Sequence, residues 1–180
     1  MKKLLSLVLA LALMCGVMSA FAEDAGKTIV SFDENLSIGF AFPDDYAVTY
    51  DESESGIIIA VAGSEQEARP FIRLVIAQED EDEDLPRLND LSDEDKAEFI
   101  AALTEDMHAP ECTIQETGFG TQVIVIRENE TAQNYATLTT LYYGCIITMY
   151  MGYPDGRVVA DEDIALGMQI FTDIDFIIAK

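Results

Sequence analysis

Three short runs of consecutive apolar residues constrain the fold most. Residues 57 to 62 read Ile-Ile-Ile-Ala-Val-Ala between glycines, residues 71 to 77 repeat that character, and residues 123 to 126 are Val-Ile-Val-Ile. A half-exposed strand alternates apolar with polar positions, and a surface helix spaces its apolar positions three and four apart. Short, β-branched runs that are apolar at nearly every position, with Arg73 the one charge among the three, instead belong to strands buried on both faces. A sheet of such strands needs helices to cover it.

Turn residues and helix signals fill in the order. Residues 36 to 42 read as a first strand ending at Pro43-Asp44-Asp45, residues 47 to 50 as an extended piece, and residues 63 to 70 as a polar hairpin connection. Residues 78 to 90 read as a solvated loop. Ser92-x-x-Asp95 then resembles a capping box, acids crowd the first turn, and Ala97, Ile100, Leu103 and Met107 form a stripe that Pro110 ends. Residues 112 to 117 and 121 to 127 form two strands around Gly118-Phe119-Gly120. A hairpin turning at Tyr143-Gly144 sets Tyr142 opposite Cys145, Thr140 opposite Ile147, Leu138 opposite Met149 and Ala136 opposite Met151. Asp161-Glu162-Asp163 opens a second helix with Ile164, Met168 and Phe171 on one side, and Gly167 lets it lie close to the sheet. Residues 174 to 178 supply the last strand. The expectation is α+β: a single, mostly antiparallel sheet of about six or seven strands with two main helices.

The N-terminus carries an address. Lys2 and Lys3 precede an apolar stretch, and Ser19-Ala20-Phe21-Ala22 before Glu23 matches the small-x-small pattern of signal cleavage. Residues 1 to 22 are therefore expected to be a signal peptide, residues 23 to 35 a mobile leader and the start of the first strand, and residues 36 to 180 a single domain. The protein is expected to be secreted or associated with the cell surface. Leu13 and Met14 are not the small residues that lipoprotein processing at Cys15 favours. Loss of Lys2 and Lys3 leaves eight Lys and Arg against 34 carboxylates, taking the formal charge from -24 to -26. Scattered arginines in such a background exclude a phosphate-binding surface, so neither nucleic acid nor anionic lipid is an expected partner.

The series Phe42-Pro43-Asp44-Asp45-Tyr46, Gly120-Thr121-Gln122-Val123-Ile124-Val125-Ile126, Tyr135-Ala136, Tyr143-Gly144 and Ile170-Phe171-Thr172-Asp173-Ile174-Asp175-Phe176 resembles small uncharacterised exported proteins of anaerobic Gram-positive bacteria. These look like members of the PsbP-like α/β/α sandwich group. The resemblance implies a fold and a tendency toward binding or assembly roles. It transfers no functional residue.

Candidate sites remain. The acidic run at residues 79 to 84 would set Asp80, Asp82 and Asp84 together as weak Ca2+ ligands, although Leu85 and Leu91 stand where an EF-hand wants glycine and glutamate. Its alternative is a solvated, self-repelling loop. His108 and Cys112 could be imagined as a base and nucleophile, without a third orienting group. Glu116 with Glu128 is one of many carboxylate pairs that could flank a glycosidase cleft. Cys112 and Cys145 would close a loop of 34 residues, worth roughly 3 to 4 kcal/mol as a disulfide, or stay free as small hydrophobes. Tyr135, Thr137, Thr139, Thr148 and Tyr150 share one hairpin face suited to a peptide, glycan or protein, unless a helix covers it. The expected function is a noncatalytic binding or accessory role, with an extracellular hydrolase and a calcium-binding acidic module as alternatives.

Overall fold

The computed structural model describes residues 22–24, 27–31, 36–44, 46–53, 57–64, 69–78, 86–128, 134–142 and 145–178. The strands are β1 (Ala22–Asp24), β2 (Lys27–Ser31), β3 (Leu36–Phe40), β4 (Tyr46–Ser53), β5 (Ile57–Ser64), β6 (Phe71–Gln78), β7 (Glu111–Glu116), β8 (Gln122–Glu128), β9 (Tyr135–Tyr142), β10 (Cys145–Gly152) and β11 (Asp175–Ile178). Helix α1 spans Asp93–Leu103 and α2 spans Asp161–Thr172. The large sheet runs β4-β5-β6-β10-β9-β8-β7, with antiparallel neighbours throughout. It consists of two meanders, β4 to β6 and β7 to β10, joined where β6 pairs with β10.

That topology explains the layers. To pass from β6 to the far edge at β7, the chain must cross β10, β9 and β8, a span of about 19 Å at roughly 4.8 Å per strand. The connection carries α1, and Phe99 of this helix is buried with Leu88, Ile124, Ile126, Leu141 and Ile146. The other face holds Leu74, Val125, Leu138, Ile147, Met149 and their neighbours, packed against Ile164, Ile170 and Phe171 of α2. Each fully buried side chain of this size contributes about 1.5 to 3 kcal/mol. Gly167 is why α2 sits so close: a Cβ there would lie 2.8 Å from Met151 Sδ and 2.9 Å from Leu138 Cδ2.

The α+β class, the antiparallel sheet and the two helices agree with the sequence reading. The single sheet does not. The last strand, β11, leaves the large sheet and pairs with β3 in a second sheet of order β1-β2-β3-β11, whose Ile38 and Phe40 pack into the α2-side core. The leader is corrected with it. Lys27–Ser31, with its β-branched Thr28, Ile29 and Val30, pairs antiparallel with β3. Leu88, expected in a solvated loop, is fully buried in a short 3-10 turn. Ala97 faces solvent while Phe99 anchors α1, because the helical period places Phe99 and Leu103 on the buried side. The signal segment before residue 22 and the turn at 143–144 lie outside the described residues.

Local polar contacts fix the helix entries. Ser92 Oγ accepts from the Asp95 N–H at 3.1 Å and donates to Asp95 Oδ2 at 2.6 Å, a variant of the expected box. Asp163 Oδ2 accepts from the Ala160 N–H at 2.8 Å, while its Oδ1 accepts from Tyr153 OH at 2.9 Å. The Arg157 guanidinium lies 4.0 Å from the centre of the Tyr153 ring. Burial, reinforced by the Asp163 carboxylate, pushes the Tyr153 phenol up to about 12.

Two outcomes follow from these contacts. Gly167→Ala should lower stability by about 1 to 2 kcal/mol in denaturant unfolding, because overpacking outweighs the helix propensity that alanine gains. A more stable variant would show that α2 can lift off the sheet. For Tyr153, the folded state favours the protonated phenol, so its stabilisation is complete below pH 10 and is lost as pH rises toward 12. Tyr153→Phe should therefore be less stable than the parent at neutral pH and should show a shallower alkaline loss between those values. An identical alkaline slope in both proteins would refute the assignment.

Candidate functional site

The hairpin of β9 and β10 has the register read from the sequence, with Tyr142 opposite Cys145, Thr140 opposite Ile147, Leu138 opposite Met149 and Ala136 opposite Met151. Its other face carries Tyr135, Thr137, Thr139, Thr148 and Tyr150, as expected, but it is not an open platform. Thr139 is 0 % exposed, and Thr137 and Thr148 are buried. Thr137 and Thr139 lie opposite Ile126 and Ile124, which belong to the cluster that α1 covers. Two of the hydroxyls meet each other: Thr139 Oγ1 donates to Thr148 Oγ1 at 3.3 Å. The three threonines are thus removed from any surface site, and the covering helix is the central one.

The tyrosines survive at the open end of this face. Tyr135 and Tyr150 are both half-buried, and the pairing of β6 with β10 brings Phe71 and Arg73 beside them. Arg73 stands opposite Tyr150, which stands opposite Thr137. One row on, Phe71 pairs with Gly152, and the Phe71 and Tyr135 rings meet edge to face over it, their centres 6.2 Å apart at 75°. Gly152 makes this contact possible. A Cβ there would sit 2.8 Å from Tyr135 Cδ1 and 3.0 Å from two atoms of the Phe71 ring.

Burial raises the Tyr150 phenol above its ordinary range, with Arg73 opposing the shift, so the group is a neutral hydrogen-bond donor at physiological pH. Together these residues offer aromatic faces, a phenol and a guanidinium on a regular sheet. Such a surface can stack on planar or sugar groups and donate hydrogen bonds. It offers no nucleophile with an adjacent base. Sequence reasoning found the two tyrosines and missed Phe71, Arg73 and Gly152. Arg73 had left a signal as the one charge inside an otherwise apolar run.

The remaining candidates separate. Cys112 packs beside the α1-side cluster and Cys145 lies in the α2-side core, so the sheet stands between them. Their strands are also three positions apart in the sheet, about 14 Å, whereas a disulfide needs Cα atoms within about 7 Å. Both are free thiols, which corrects the disulfide alternative. Burial raises the Cys112 thiol, the opposite of what a nucleophile requires. His108 lies beyond α1, which ends at Leu103, and it is exposed, its backbone N–H donating to Glu128 Oε1 at 3.5 Å. Glu116 pairs at Gln122, six residues along β8 from Glu128, about 20 Å and well beyond the 6.5 to 9.5 Å of an inverting glycosidase pair. Asp80, Asp82 and Asp84 lie outside the described residues. Among the described residues no three His, Cys, Asp or Glu side chains cluster as metal ligands.

No protein-family model matches the chain, and no curated protein matches it in sequence.

The contact over Gly152 yields a direct check. Gly152→Ala should destabilise the protein by about 1 to 3 kcal/mol and broaden or shift the ring resonances of Phe71 and Tyr135, because neither ring can retreat as a flexible chain end could. Unchanged ring resonances would mean that the two aromatics do not meet across this glycine.

Proposed function

We propose that this chain is an exported, noncatalytic binding or accessory protein of the cell envelope or medium, and that it binds through the open end of the β6/β10/β9 face. The observation that carries this reading is the convergence of Phe71, Arg73, Tyr135 and Tyr150, all half-buried, beside strands whose central residues are buried on both faces. Aromatic residues with polar tips and arginine are the side chains that contribute most per residue at protein interfaces, and a strand scaffold holds them without further ordering. The signal-like segment at residues 1 to 22 supports the location, and the acidic composition supports solubility in an external medium. A helix against each face of an antiparallel sheet supports placing the fold among PsbP-like sandwiches. The partner class is a protein, peptide or glycan, read from the surface chemistry.

Crosslinking in intact source cells, followed by capture and mass spectrometry, tests this reading. The parent protein should recover a stoichiometric envelope or extracellular partner, and Tyr135→Ala and Tyr150→Ala, each shown to be folded, should reduce recovery about 10- to 30-fold. Recovery of the bait alone, or equal recovery by the variants, would overturn it.

A further inference from the structure

A second surface lies at the other side of the sheet. Strand β7 is its edge, and among the described residues no strand pairs with its outer side. Five of its six residues are exposed, Ile114 is 42 % exposed, and the turn that follows displays Phe119 at 82 %. Edge strands are ordinarily blunted by proline, a bulge or a cover, since their free N–H and C=O groups invite another strand. Between Glu111 and Glu116 there is no proline, and β7 pairs with β8 residue for residue.

Hydrogen bonding identifies the outward groups. The Thr117 N–H donates to Thr121 O at 2.9 Å, so the odd-numbered residues of β7 bond to β8 and the even-numbered ones turn away. Gln122, opposite Glu116, agrees: its N–H donates to Asn89 Oδ1 at 2.9 Å and its carbonyl accepts from Thr140 Oγ1 at 2.7 Å, both away from β7. The outward N–H and C=O groups are therefore those of Cys112, Ile114 and Glu116. The hairpin end is held firmly as well. Gly120, at φ 79°, donates its N–H to Thr117 O at 2.9 Å and accepts from Asn89 Nδ2 at 2.8 Å.

We propose that the β7 edge docks an extended, basic segment of another protein by strand addition. Charge selects the occupant. Glu111 and Glu116 flank Ile114, Glu105 and Asp106 are exposed in the preceding turn, and the single cation from residue 111 to 128, Arg127, is paired with Asp161. A second copy would bring the same carboxylates and a further formal charge of -24, so self-pairing is opposed. The matching strand sets an apolar side chain against Ile114 and Lys or Arg beside the two glutamates. This surface is separate from the Phe71/Tyr135 cluster and does not rest on it.

The test is panning of a random displayed peptide library against the protein in its naturally processed form. Enriched peptides should alternate β-branched residues between flanking Lys or Arg, and should slow amide exchange at Cys112, Ile114 and Glu116. Ile114→Pro should weaken them at least about tenfold while leaving the fold, because that N–H faces outward and an edge tolerates proline there. If Ile114→Pro does not fold, the double variant Glu111→Lys, Glu116→Lys decides, with the same loss expected. No enrichment, acidic consensus peptides, binding unchanged by the variant that folds, or a dimer in sedimentation that protects these amides would each overturn the proposal.

Discussion

The pairing of β6 with β10 is the contact on which the rest of this molecule depends. It runs for eight residue pairs, from Phe71 opposite Gly152 to Gln78 opposite Cys145, and it joins segments some seventy positions apart in the chain. Without it, the β4 to β6 meander and the β7 to β10 meander would each expose an edge of hydrogen-bonding groups and apolar faces. With it, the crossing connection must lie on the sheet, which brings Phe99 and Leu88 onto Ile124 and Ile146. The same pairing forms the aromatic cluster, since Phe71 and Arg73 come from one meander and Tyr135 and Tyr150 from the other.

Local chemistry made much of the fold legible. The β9/β10 register followed from the position of its turn, the α1 entry from Ser92 and Asp95, and the close approach of α2 from a glycine in mid-helix. What stayed hidden was non-local. Nothing in residues 71 to 78 names β10 as their partner, and the departure of β11 to pair with β3 depends on where the chain lies after α2. The candidate site suffered from the same blindness. Thr137, Thr139 and Thr148 read either as an open polar face or as one covered by a helix, and residue type did not decide, because threonine fills a buried strand face well when its hydroxyl finds a neighbour.

Cysteine placement shows why compartment alone is weak guidance. An even cysteine pair permits a disulfide wherever the compartment is oxidising, but a sheet with cover on both faces partitions its side chains, and Cys112 and Cys145 fall on different sides. Covalent stabilisation is replaced here by packing on two faces and by polar clamps such as Asp163, which holds both the Ala160 N–H and the Tyr153 hydroxyl. Tyr153 in turn sits under Arg157, so the segment between β10 and α2 is fixed from both ends.

Helices α1 and α2 cover the central strands, so sites for recognition are sought where that cover stops. Among the described residues, the two surfaces proposed for recognition lie at a strand end and at the β7 edge. The aromatic cluster is of the first kind and β7 of the second. Their proposed chemistries differ accordingly: side chains would supply the contact at Phe71 and Tyr135, whereas backbone groups of Cys112, Ile114 and Glu116 would supply it at β7. The high negative charge connects the two. Under the proposed strand addition it opposes pairing of the β7 edge with copies of itself and favours partners of opposite sign. On that proposal, acidity would act as a selector of docking partners.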